Sequence, residues 1–130
     1  MRYYQAAVSS GRLTQALGAM VRPSKPPDLK ADITFLRKAA GGRSRPVCSG
    51  YRPTHDFGLG EILNDAHHEY IGADTVQPGD SVQAELWLLV PEYQLGRLYP
   101  GFEFTVQEGS RVVGHGVVVE VVNPALRHGT

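Results

Sequence analysis

Short runs of alternating apolar and polar residues, each cut off by a turn signal, constrain this chain more than any other feature. In LKADITFLR, Leu29, Ala31, Ile33 and Phe35 alternate with Lys30, Asp32, Thr34 and Leu36. Alternation with period two puts one set of side chains on each face of a β-strand. Val82, Ala84, Leu86, Leu88 and Val90 repeat the pattern against Gln83, Glu85, Trp87 and Leu89, and Phe102, Phe104 and Val106 share a face. A strand over Tyr51–Leu59 that begins at or after Pro53, a weaker one over His67–Ile71 and a long final run from Arg111 complete a set of six. Between them lie turn and loop stretches, GGRSRP (Gly41 to Pro46) and QPGDS (Gln77 to Ser81). With no convincing helix between strands, the expected fold class is all-β, a small six-stranded antiparallel β-barrel.

The stretch VQEGSRVVGHGVVVEVVNP reads as a hairpin turning at Gly109-Ser110, with glycine first to match strand twist. Its second strand carries Gly114 and Gly116 in a run of valines, although glycine inside a strand costs entropy and packs nothing. Two apart, they share a face, and that face must pass close to another strand or bend around a barrel corner.

The chain has 130 residues, enough for one domain with a real core. Its single cysteine, Cys48, excludes a disulfide framework and favours a reducing compartment. The longest apolar run, Leu86 to Val90, is too short to cross a bilayer, and Gln5, Ser9, Ser10, Arg12 and Thr14 interrupt any secretory core. A cytoplasmic location is expected. Formal net charge is zero, yet residues 1–53 hold ten basic residues against two acidic ones, and 54–130 hold three against eleven. Such asymmetry marks a nucleic-acid face or a charged partner, unless the fold interleaves the two halves.

Residues 1–27 form an N-terminal arm. Leu13, Ala16, Leu17 and Met20 stand at helical spacing after Ser10, so a short helix over about 11–21 is expected, ended by the extended linker RPSKPP. The barrel is expected over 28–124, with 125–130 as a C-terminal tail.

GGRSRPVCSGYRP, VQPGDSVQAELWLLVP and GFEFTVQEGSRVVGHGVV, in that order, resemble the C-terminal β-barrel, the third domain, of elongation factor Tu. The resemblance rests on Gly41, Gly42 and Arg43; Gly50 to Pro53; Val76, Pro78, Gly79 and Asp80; and Glu108 to Val118, and runs from about Asp28 to Asn123. There is no phosphate-cradling G-x-x-x-x-G-K-[ST] loop and no Asn-Lys-x-Asp signature, so neither nucleotide binding nor GTP hydrolysis is expected. In that family the third domain packs on the nucleotide domain and contacts the T-stem of aminoacyl-tRNA. The resemblance therefore implies a non-enzymatic, translation-related binding module, with Arg43, Glu108 and Gly109 facing RNA backbone. Ser44, Thr54, Leu63 and Glu103 depart from the family pattern, and PEYQLGRLYP is longer than its counterpart.

Read from the residues, Arg43, Arg45, Arg52 and Arg111, with Lys38 nearby and Tyr51 as a stacking aromatic, are RNA-binding candidates beside Glu108 and Gly109. The bland alternative is a solvated loop with Arg52 in a structural ion pair. His55, Asp56, His67, His68 and Glu69 invite a metal reading, but His67 and His68 point to opposite faces and no spacing matches a zinc set, so no metal or other cofactor is expected. No acyl-transfer signature surrounds Cys48, and no enzyme activity is expected. Trp87, with Tyr93 and Tyr99, is a candidate for an exposed protein interface, the alternative being a second small hydrophobic cluster. The competing function is a protein–protein or homodimerisation module without RNA binding.

Overall fold

Inward-facing side chains of alternating size allow six short strands to close on themselves. The computed structural model describes residues 22–129; the helix expected over 11–21 lies outside them. The strands are β1 (Leu29–Phe35), β2 (Val47–Cys48), β3 (Thr54–Leu59), β4 (Ile62–Ile71), β5 (Thr75–Val76), β6 (Ser81–Leu88), β7 (Glu103–Glu108) and β8 (Arg111–Val121). Six of them form a closed antiparallel barrel in the order β1-β6-β4-β3-β7-β8, and β2 pairs with β5 in a separate ribbon. The interior holds Leu29, Ile33, Phe35, Phe57, Leu86, Phe104, Val106 and Val118 beside the small Ala31, Ala66 and Ala84. Alternating large and small residues let so narrow a barrel fill without strain.

Gly116 sits directly opposite Phe104 in the β7–β8 ladder, and Gly114 opposite Phe35 of β1. A Cβ on Gly116 would lie 2.8 Å from Phe104 Cε1 and closer still to two other ring atoms. On Gly114 it would lie 2.9 Å from the Thr34 carbonyl oxygen. Both glycines are therefore close-approach positions, one for an aromatic ring and one for a neighbouring strand. Two register shifts bend β8: Val113 is extra between the Val106–Gly114 and Gln107–Val112 pairs, and Val119 is extra between the Ala31–Val118 and Lys30–Glu120 pairs. The hairpin turns at Gly109 (φ 60°) and Ser110, with Glu108 paired to Arg111.

Asp28 ties the barrel's ends together. Its buried carboxylate accepts from Leu88 N at 2.8 Å and Asn123 Nδ2 at 2.9 Å, joining the start of β1 to the ends of β6 and β8. Asp28→Ala leaves these donors unpaired and is expected to cost about 2 kcal/mol, read as a lowered urea midpoint at unchanged slope; Asp28→Asn, which keeps one acceptor, should cost less.

Three expectations are corrected or refined. β4 starts five residues before His67 because Ile62 already pairs with Leu59 across a tight turn. Residues 125–128 of the expected C-terminal tail pack onto the barrel: Leu126 is fully buried, and Leu98 N and His128 N each donate at 2.8 Å to a carbonyl of the other segment. Trp87 is 4% exposed, although period two places it outward; the linker residues Arg22 and Lys25 lie over it.

Candidate functional site

The loop that follows β1, the segment after β2 and the tip of the β7–β8 hairpin meet through Arg43, Tyr51, Glu108 and Arg111. Glu108 Oε2 accepts from the Tyr51 hydroxyl at 2.6 Å and pairs with Arg43 Nη1, while Glu108 Oε1 accepts from Arg111 Nη2 at 3.3 Å. The Arg43 guanidinium carbon lies 5.2 Å over the Tyr51 ring, and Arg43 Nε donates to the Arg45 carbonyl at 3.3 Å. Partial burial opposes ionisation of Glu108, but hydrogen bonds from Tyr51 and Arg43 outweigh it and hold the carboxyl below its ordinary value. Burial likewise pulls Arg43 down, and its neighbours Tyr51 and Glu108 overcome that and raise it. Desolvation, then the Glu108 carboxylate, holds the Tyr51 phenol well above its usual range, so it remains a donor.

Beside this cluster lies an open depression of about 470 Å³ lined by Lys38, Gly41, Gly42, Arg43, Ser44, Arg45 and Arg111. Of its four cationic side chains, Arg43 and Arg111 pair with Glu108. Among the described residues, neither Lys38 nor Arg45 makes an ion pair, and both are exposed. Chemically the arrangement can take an anion: forked guanidinium donors lie around a glycine-lined concavity. The long-range ion pairs Arg22–Glu85, Lys30–Glu120 and Arg43–Glu108 interleave the basic and acidic halves of the chain, yet at this depression the basic residues stay together.

The candidates of the sequence separate as follows. Arg43, Glu108 and Arg111 are brought into one cluster, with Gly109 at the adjacent exposed turn. Arg52 is exposed and does not line the depression, and it shows no ion pair among the described residues. Tyr51, expected to offer a stacking face, instead spends its hydroxyl on Glu108 and one ring face on Arg43. Tyr93 and Tyr99 are exposed at 44% and 47%, but Trp87 is not, which removes it from an open interface. Tyr99 packs edge-on against Phe102, and its neighbourhood is the capping segment 91–102 rather than the Trp87 face.

His67 and His68 do point to opposite faces. His68 turns inward, where its Nε2 meets His55 Nε2 at 2.8 Å; His67 turns outward onto Glu69 at 2.5 Å. No group of three His, Cys, Asp or Glu side chains among the described residues converges as a metal set. His55 Nδ1 faces the Asn64 carbonyl at 2.9 Å and must donate to it. His55 Nε2 is then the acceptor, His68 Nε2 the donor, and His68 Nδ1 accepts from the Tyr70 hydroxyl at 3.0 Å. This directed chain satisfies every polar atom of two fully buried, neutral imidazoles. Burial drives His55 down to about 4, against the opposing Asn64 hydrogen bond, and drives His68 well below its usual value.

No family model matches the chain.

Proposed function

We propose that this barrel is a non-enzymatic binding module related to the third domain of elongation factor Tu, and that the Lys38–Arg43–Arg45–Arg111 depression takes the phosphate backbone of a structured RNA, tRNA among the candidates. The observation that carries the reading is the convergence of four cationic side chains on one glycine-lined concavity, with Lys38 and Arg45 left free of ion pairs among the described residues. Phosphate contacts of this kind supply affinity and position without reading sequence. A cytoplasmic location accompanies the reading; among the described residues no helix is long and apolar enough to cross a membrane.

Titration of fluorescent tRNA at two salt concentrations tests it. With about three phosphates neutralised, log K is expected to fall against log salt with a slope of about −2 to −3. Arg45→Ala or Lys38→Ala should weaken binding almost equally across RNA sequences and reduce the slope by about 1. Arg43→Ala should do the same and also release Glu108. Unchanged affinity and slope in Arg45→Ala would remove this surface from RNA recognition.

A second reading has its own observation. Leu89 is 72% exposed, Leu95 57%, Tyr93 44% and Tyr99 47%, so the segment beyond β6 offers apolar surface for a protein contact. Absence of tRNA binding at low salt, together with self-association lost in Leu89→Lys, would favour this protein–protein role.

A further inference from the structure

The outer face of β4 and β6 carries an electrostatic oddity. Glu69 and Glu85 stand directly opposite each other in the antiparallel ladder, and the next pair along is His67 opposite Trp87. Like charges in facing positions repel. Each carboxylate is held separately: His67 Nε2 donates to Glu69 Oε2 at 2.5 Å, and Arg22 Nη2 donates to Glu85 Oε1 at 2.7 Å. The same Arg22 guanidinium lies 5.1 Å from the centre of the Trp87 ring. Trp87 stands edge to face with His67, at 5.7 Å and 87°, and is almost completely covered.

An indole face beside a carboxylate is the donor–acceptor set that a planar guanidinium fills, by stacking and by a charge-assisted hydrogen bond at once. A lysine ammonium satisfies the charge but has no plane to lay on the ring. Among the described residues, side chains do most of the tethering of the occupant. Besides Arg22, Trp87 Nε1 donates to the Lys25 carbonyl at 2.8 Å, and the first backbone bond to the barrel among the described residues is Asp28 N to Leu86 O. Pro23, Pro26 and Pro27 have no N–H to donate to a ladder, and the segment bends at Ser24 and Lys25.

We propose that the Trp87–Glu85–Glu69 face is an arginine-binding site, filled in cis by Arg22, and that an arginine-bearing, proline-rich segment of another chain displaces Arg22 and docks there. The site shares no residue with the basic depression, so it stands or falls apart from RNA binding.

Trp87 is the only tryptophan of the chain, which makes it a clean reporter. The experiment titrates the peptide Arg-Pro-Ser-Lys-Pro-Pro into the full-length Arg22→Ala variant. Trp87 emission and the indole N–H resonance are followed, with circular dichroism as the check on folding. A saturable response in the millimolar range is expected, about 5-fold weaker with lysine in the first position and absent with alanine there. In the wild-type chain the midpoint should move up about 10-fold, because tethered Arg22 competes at millimolar effective concentration. Adding Glu85→Gln should abolish the response. Equal responses to the arginine and alanine peptides, or binding indifferent to Glu85→Gln, would overturn the assignment.

Discussion

Acidification from pH 7.5 to 4.5 is expected to destabilise this protein by about 2–3 kcal/mol through His55 alone, with His68 adding in the same direction. In the unfolded chain both imidazoles take up protons near the ordinary value of 6.5. In the fold, desolvation keeps His55 neutral down to about 4, and His68 is held well below its ordinary value by desolvation and by the neighbouring His55 and His67. Between these values the unfolded state binds more protons, so stability is complete above about 6.5 and drains away as pH falls toward 4. Glu108, already below its ordinary 4.5, acts in the same direction but lower, outside most of this window. The reading is the urea midpoint at several pH values with a constant slope. Replacing the whole directed chain, in His55→Leu with His68→Leu and Tyr70→Phe, removes donors and acceptors together and should flatten the pH dependence. If the wild type and the triple variant lost stability in parallel between pH 7.5 and 4.5, the buried histidine pair would not be its source.

Gly116→Val is expected to cost about 3 kcal/mol, since its Cβ would lie within 2.8 Å of three atoms of the Phe104 ring on the facing strand. The clash is with a single side chain, which makes the effect separable. Phe104→Ala alone opens a cavity and costs about 3 kcal/mol, but combined with Gly116→Val it frees the space the valine needs. A double-mutant cycle should therefore show a favourable coupling of about 1–3 kcal/mol. Additive losses would place the obstruction elsewhere, for example in the backbone of β1. Gly114→Ala offers that comparison, because its nearest obstacle is the Thr34 carbonyl, and no side-chain truncation should rescue it.

Much of this architecture was legible from local pattern. Alternation in LKADITF and SVQAELWL identified the inward faces of β1 and β6, and the glycine-first turn placed the β7–β8 hairpin. Parity also contained the buried histidine chain: His55 shares a face with Phe57, and His68 with Tyr70, so both histidines belonged to apolar faces. At the basic depression the contributing residues were readable from Gly-Gly-Arg-Ser-Arg and Glu-Gly-Ser-Arg, but Tyr51's commitment to Glu108 was not, because the partners are 57 positions apart.

The sequence by itself determined the apolar side of the barrel strands, the main turns and most strand positions, the start of β4 and the short β2–β5 ribbon excepted, because these depend on neighbours two to four residues away. Tertiary structure decided the rest. The bulges at Val113 and Val119 shift the parity of β8, so that Val113 is fully buried beside Gly114, a consequence of the curvature needed to close the ring. Trp87 obeyed its parity and still became buried, because a segment about 60 residues earlier in the chain lies across it. Period two encodes which face a side chain takes; what covers that face, and which distant charge meets it there, is set only when the barrel closes.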